Sequence, residues 1–439
     1  MKKIMVVVFV FLLQVVTVFS EVKLPPIFAS RMVLQQEKDI TVWGVADPGE
    51  KINIEFNGQA AEGKADENGK WKLVLKPVKA GGPFTMKIND RTLEDVLVGE
   101  VWLASGQSNM TFALVNSLNG KEEAAKADFP EIRFFQAEQN ASFVPREVCK
   151  GNWEKCAPQK AGRFSAVAYY YAKEIHRELK VPVGIISAGY AGSQCQNWVD
   201  RKTLLNDPLL TEFNYEEGPD NEAVLNYTAE VIKKKPEFAK WYKNVEAAVK
   251  AKDNLPALPK FSGDPKATME DRLPSGYYNA MIYPVRNYTI KGVIWYQGEG
   301  NCGDTLYRNL FEAMINSWRK IFAQGDFPFL FVQIANMGNK AVSPEFGCRG
   351  DVRNEQRYIL KLKNTAMAVT IDIGDADNVH AKNKKDVGSR LSLAALGTVY
   401  GKNIDKPVTV RYAMESNPDC NLYNKEGLPA SPFSTASLD

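Results

Sequence analysis

Histidine is nearly absent from this chain: its 439 residues contain two, His176 and His380. That scarcity excludes a His-rich metal site, because catalytic zinc usually takes two or three imidazoles. If the chain uses an imidazole base, only two positions can supply it. Charge of one sign is also lacking. A formal net charge of +3 gives no bulk attraction to nucleic acid or to an acidic membrane. No pair of cysteines has CxxC metal spacing, and no internal repeat is present. Long apolar runs are missing beyond the first twenty residues, so nothing downstream is long enough to cross a membrane.

The first twenty residues read as an export signal. Met1-Lys2-Lys3 is a basic start, and Ile4 to Val18 is apolar apart from Gln14 and Thr17. Val18-Phe19-Ser20 then offers a cleavage point before Glu21. Cleavage would remove Lys2 and Lys3 and take the formal charge from +3 to +1. The mature chain is expected to be soluble, secreted or periplasmic. Six cysteines accompany export: Cys149, Cys156, Cys195, Cys302, Cys348 and Cys420. An oxidising compartment permits disulfides, and Cys149 with Cys156 could close a small loop. Sequence does not fix the pairing.

At this length two domains are a fair expectation, with ample material for a large core. From Val22 to about Val96 the pattern is strand and turn. Ile40-Thr41-Val42-Trp43 and Lys51-Ile52-Asn53-Ile54-Glu55-Phe56 alternate, with Asp47-Pro48-Gly49, Asn57-Gly58 and Asn68-Gly69 as turns. Residues 21–96 thus read as a β-sandwich-like domain. From Leu97 the rhythm becomes strand then helix. Val98 to Ala104, Ile132 to Phe135, Val183 to Ser187, Gly292 to Tyr296, Phe329 to Ile334 and Ala366 to Ile371 read as buried strands. Helical patterns run over Phe164 to Leu179, Thr305 to Ile321 and Lys384 to Tyr400. This alternation predicts an α/β domain over 97–405, a parallel sheet covered by helices. Residues 221–252 read as a charged helical insert, and 406–439 as a tail.

In such sheets the chemistry lies beyond the C-terminal ends of the strands. Four segments sit there. Ser105-Gly106-Gln107-Ser108-Asn109-Met110 places Ser108 like a nucleophile, although Met110 breaks the G-x-S-x-G elbow and a plain helix cap is the competing reading. Ser187-Ala188-Gly189-Tyr190-Ala191-Gly192-Ser193 is small enough for backbone N–H groups to approach an anion. Gln297-Gly298-Glu299-Gly300-Asn301-Cys302-Gly303 contains a formal G-x-G-x-x-G. Glu299 would repel a pyrophosphate there, and no acidic ribose partner follows about 20 residues on. Gln297 fits better as an amide donor to an oxyanion. The fourth, Asp372 to His380, carries three carboxylates. A calcium loop beginning at Asp375 would need glycine where His380 stands. Asp377 and His380 are spaced to share one short loop, the aspartate orienting the imidazole and stabilising imidazolium. His176 lies in the charged helical run 172–177, which leaves His380 as the base.

Gly106-Gln107-Ser108-Asn109-Met110, Trp295-Tyr296-Gln297-Gly298-Glu299 and Asp377-x-x-His380 together resemble the sialate O-acetylesterase family of SGNH-type hydrolases. The resemblance extends from about Met32-Val33-Leu34-Gln35 to the end of the chain. It implies an exported carbohydrate acetylesterase with an α/β/α catalytic domain of three layers behind a β-domain. Its substrate would be an acetylated carbohydrate, with no cofactor, metal or nucleic acid involved. By match to the family motifs, Ser108 is the nucleophile, His380 the base and Asp377 its orienter. Gly192, Gln297 and the Ser108 N–H form the oxyanion hole, with Asn109 and Glu299 in support. Three features depart from the family pattern: Ala191-Gly192 replaces a glycine pair, Glu299-Gly300-Asn301 replaces Glu-Ser-Asn, and a β-rich stretch near the C-terminus is short. A non-catalytic sugar-binding protein with a disabled hydrolase domain is the alternative, and a nucleotide-dependent oxidoreductase is a third reading.

Overall fold

Alternation governs the N-terminal strands. The computed structural model describes residues 22–213, 273–338, 348–402, 428–429 and 431. Strands β1 (Val33–Gln35), β2 (Ile40–Val45), β3 (Lys51–Phe56), β4 (Gln59–Lys64), β5 (Lys70–Leu75) and β6 (Gly81–Ile88) occupy the region predicted to be all-β. In β3 the apolar positions Ile52, Ile54 and Phe56 are buried and the polar ones exposed, the signature of a sheet with one wet face. β2 pairs with β5 antiparallel, and β3 pairs antiparallel with β4 and β6.

The next strand, β7 (Arg91–Gly106), crosses the expected domain boundary at 96/97 without a break. Its first half pairs antiparallel with β6 and its second half joins a parallel sheet. Burial changes with the pairing. Residues 91–95 are mostly accessible, whereas Val96 to Gly106 are all buried. A strand covered on both faces needs continuous apolar sequence, as Val101-Trp102-Leu103-Ala104 supplies.

The remaining strands are β8 (Phe129–Ala137), β9 (Gly151–Cys156), β10 (Val183–Gly189), β11 (Gly292–Tyr296), β12 (Phe329–Val332) and β13 (Thr365–Ala368). Their order is β13-β12-β11-β7-β10-β8-β9. All these neighbours are parallel except β9, which runs antiparallel to β8 at the edge. After β7 the chain builds outward on one side through β8 and β10, then on the other through β11. β7 is therefore the switch point of an α/β sheet, where a crevice opens beyond the strand ends. The register sets Tyr296, Gly106 and Gly189 side by side at that edge.

Five helices frame the site: α1 (Ser108–Thr111), α2 (Ala166–Leu179), α3 (Tyr307–Phe322), α4 (Cys348–Tyr358) and α5 (Lys384–Thr398). α3 buries Leu310, Phe311, Met314, Ile315, Trp318 and Phe322, and Trp318 meets Trp295 and Phe329 of the sheet edge to face. α5 lies close against α2 at Gly388, where a Cβ would fall 2.7 Å from the Val167 carbonyl oxygen. α4 has no counterpart in the sequence reading. Its buried residues Gly350, Val352, Arg353 and Gln356 include too few apolar side chains to make a helical stripe.

One disulfide, Cys302–Cys348, ties the segment after β11 to the start of α4. Cys149, Cys156 and Cys195 are buried free thiols. A Cys149–Cys156 loop, which the sequence left open, is not formed, because β9 occupies the intervening residues. A six-residue strand spans roughly 17 Å, beyond disulfide reach. Burial pushes the Cys149 thiol up to about 11 and Cys156 up to about 12, so both are unreactive at neutral pH. The expected signal segment, the expected charged insert, all of the expected tail but residues 428, 429 and 431, and Cys420 lie outside the described residues.

Gly106 is the backbone position on which the site's entry depends. Its φ is +136°, and a Cβ would lie 2.1 Å from the Tyr296 carbonyl oxygen. Gly106→Ala is expected to lower unfolding free energy by about 2 kcal/mol or more, combining backbone strain with a backbone clash. Denaturant unfolding monitored by tryptophan fluorescence measures this. An unchanged midpoint would contradict the assigned strain.

Candidate active site

Ser108 stands at the first position of α1, two residues past the end of β7. Gln107 fixes this turn from both ends. Its N–H donates to the Tyr296 carbonyl at 2.9 Å, and its side-chain oxygen accepts from the N–H groups of Gly298 and Gly300, each at 3.2 Å. The first and third segments are thereby joined. It also disposes of the dinucleotide reading, since two N–H groups that would cradle a pyrophosphate are already engaged.

His380 reaches the serine from the far end of the chain. Its Nε2 lies 2.8 Å from Ser108 Oγ. The His380 N–H donates to Asn378 Oδ1 at 2.9 Å, and the Phe112 ring stacks on the imidazole with centroids 6.1 Å apart. His176 is elsewhere on α2, its Nδ1 2.8 Å from the Val181 carbonyl oxygen. Of the two histidines, His380 alone is on the serine.

Asp377 is not brought to the ring. Its side chain is exposed, its N–H donates to Asp375 Oδ1, and no hydrogen bond joins its carboxylate to His380. Residues three apart face one another on a helix. Here the loop is two successive Asx turns, Asp375–Asp377 and Asn378–His380, rather than a turn of helix. Asp372 is committed elsewhere, to Arg390 at 2.5 and 2.7 Å.

Gln297 is also placed differently from expectation. It is fully buried, and its Nε2 donates to Asn301 Oδ1 at 2.7 Å and to the Ser193 carbonyl at 3.3 Å. The amide is thus spent joining the second and third segments. Asn301 is the residue missed: its side chain also accepts from the Cys195 N–H and donates to Gln196 and Asp304. Gly192 lies exposed in a turn at φ +73°. Its N–H and that of Ser108 make no hydrogen bond with the described residues, so both are available to an incoming anion.

Behind the serine lies a buried polar set. Asn109 donates from Nδ2 to Glu299 Oε1 at 2.6 Å and to the Val379 carbonyl at 3.0 Å, and its Oδ1 accepts from Lys384 Nζ at 2.5 Å. Burial raises the Glu299 carboxyl above its usual range, against the opposing pull of Arg349, Asn109 and Lys384. Burial lowers Lys384 to about 8, with Glu299 acting the other way. Lys384 sits in the run Lys382-Asn383-Lys384-Lys385, which reads as a solvated helix start, so sequence gave no signal for it.

A family model for a sialic acid-specific acetylesterase, described as a carbohydrate esterase, matches residues 266–397. The mouse sialate O-acetylesterase is 30% identical over 421 residues, covering 84% of this chain and 72% of that protein. The human counterpart is 28% identical over 419 residues, covering 84% and 70%. The chain belongs to the sialate O-acetylesterase family. A carbohydrate acetylesterase of solved structure from Xanthomonas citri superimposes with a TM-score of 0.71 at 33% identity, covering 88% of this chain and 77% of that one. The family assignment and this neighbour make the protein an esterase hydrolase of α/β fold with a strand-rich N-terminal region. The match at 266–397 takes in the Gln297–Asn301 segment and the His380 loop, while the full-length relatives also span Ser108.

The lowered Lys384 has a consequence for pH. It keeps its proton below about 8 and loses it above, and with the proton goes the charge that holds Asn109 Oδ1. The expected result is a fall in kcat above pH of about 8. The residual activity of Lys384→Met should lack that limb, having no group to titrate. A limb of equal position in both proteins would contradict this.

Proposed function

We propose that this protein removes acetyl groups from sugar hydroxyls by two acyl transfers through Ser108. The observation that carries the reading is the 2.8 Å contact between Ser108 Oγ and His380 Nε2 at the switch point of the sheet. Ser108 Oγ attacks the acetyl carbonyl carbon as His380 takes its proton. The tetrahedral oxyanion is held by the N–H groups of Ser108 and Gly192. On collapse the C–O bond to the sugar breaks, and His380 returns the proton to the departing hydroxyl. Water, deprotonated by His380, then attacks acetyl-Ser108; the C–Oγ bond breaks, acetate leaves and His380 returns the proton to Ser108 Oγ. No redox or nucleotide chemistry enters the balance.

The other members take supporting parts. Gln297 holds the Ser193 and Asn301 segments and so shapes the oxyanion hole; its placement supports this role over direct donation. Asn109 and Glu299 support the serine from behind. Asp377 is assigned to stabilise the imidazolium that forms during attack. Its place in the same loop as His380 supports this, and catalytic hydrogen bonds often tighten only when substrate is bound. Acetylated sialic acid is the favoured substrate class, on the strength of the family. Export is supported by the Met1–Ser20 segment and by the Cys302–Cys348 disulfide, which suits an oxidising compartment. The sugar-binding alternative is disfavoured by an assembled serine–histidine pair, which binding alone does not need.

Ser108→Ala, assayed on an aryl acetate and on O-acetylated sialic acid, is expected to lose about 1000-fold or more in kcat. Activity near the wild-type rate would sink the assignment. Asp377→Asn is expected to lower kcat about tenfold or more. A rate equal to wild type would remove Asp377 and leave a serine–histidine dyad.

A further inference from the structure

Lys384 is a buried cation in an unfavourable place. It is 1% exposed and is the first residue of α5, where the helix dipole opposes positive charge. No carboxylate lies within salt-bridge distance of it among the described residues. Glu299 reaches it only through Asn109. Desolvating an ammonium without a direct counter-ion is costly, so a compensating contribution should be sought in what it touches.

It touches both halves of the site. Its Nζ donates to Asn109 Oδ1 at 2.5 Å, and Asn109 is the residue after Ser108. The same Nζ lies 5.1 Å from the centroid of the Phe112 ring, and the His380 imidazole stacks on that ring. Asn109 in turn donates to the carbonyl of Val379, the residue before His380. Two independent paths therefore run from one ammonium to the nucleophile's helix and to the base's loop. A second ring, Tyr296, faces it at 5.4 Å.

We propose that Lys384 is the positioning residue of the Ser108–His380 pair, holding Asn109 and Phe112 together so that Oγ and Nε2 stay within hydrogen-bond reach. This rests on the reading of Ser108 and His380 as nucleophile and base. Lys384 contacts neither of them and is 1% exposed. Its loss should fall on kcat, since a displacement of about 1 Å at reacting atoms costs roughly 100-fold.

The test is Lys384→Met and Phe112→Leu, singly and together, assayed on an aryl acetate, with thermal unfolding to certify the fold. Lys384→Met is expected to lower kcat about 30- to 100-fold with KM within about threefold. Phosphonylation of Ser108 by a small fluorophosphonate should slow in parallel. Since Lys384→Met already cuts the path through Phe112, the double variant should lose less than the product of the single losses. A folded Lys384→Met with kcat within about twofold of wild type, a change in KM alone, or strictly multiplicative losses would each overturn the proposal. If Lys384→Met does not fold, Phe112→Leu decides alone: about a tenfold fall in kcat at constant KM supports it, and an unchanged kcat overturns it. Failure of the underlying reading is separate, because it would show as a Ser108→Ala variant that remains active.

Discussion

The hydrogen bond between Ser108 Oγ and His380 Nε2 joins two short segments whose residues stand 272 apart in the chain. α1 is a single turn of four residues, and the His380 segment is a pair of Asx turns. A serine and a histidine placed on such pieces make a reactive pair only if their surroundings fix both. The sheet does part of this. Its register aligns the ends of β7, β10 and β11, and Gln107 then ties the turn after β7 to the turn after β11. The remainder falls to Asn109, which reaches from the serine's helix to the carbonyl before the histidine.

That arrangement places charge where it is expensive. Glu299 and Lys384 are both buried, on opposite sides of one carboxamide, and each is shifted toward its neutral form by desolvation. A purely apolar packing would be cheaper and would leave Asn109 free to rotate. Its oxygen accepts from Lys384 and its nitrogen donates to Glu299, so the two partners decide which way the carboxamide faces. The orientation of one side chain, and so the hydrogen bond to the Val379 carbonyl, is specified by electrostatics rather than by shape. Cys302–Cys348 adds a covalent tie just past the Glu299 turn.

Much of this was legible from residues alone, and the exceptions have physical causes. Continuous apolar runs located β7, β10, β11 and β12, because strands buried on both faces leave no polar positions to blur the pattern. The helix expected from Phe164 begins two residues later, at Ala166, because Ser165 caps it by accepting from the Ala168 N–H. Ser108 and His380 were visible because one follows a strand end and the other is one of two imidazoles in the chain. α4 was invisible because its buried face is largely Arg353 and Gln356, and Lys384 because a buried lysine reads like a solvated one. The pairing of Asp377 with His380 was inferred from spacing that only a helical turn would convert into contact. Gln297 reads from its place at a strand end as a donor to an oxyanion, since no local pattern reveals that Asn301, four residues on, takes its amide.

The account stands or falls on whether acetyl passes through Ser108. Rapid acid quench of the wild-type protein turning over an aryl acetate, followed by peptide mass spectrometry, measures this directly. The prediction is a single acetyl group on the peptide carrying Ser108, formed in a burst of the released phenol and lost as acetate appears. Turnover with no acetyl on that serine, or acetyl accumulating on another residue at the catalytic rate, would contradict it.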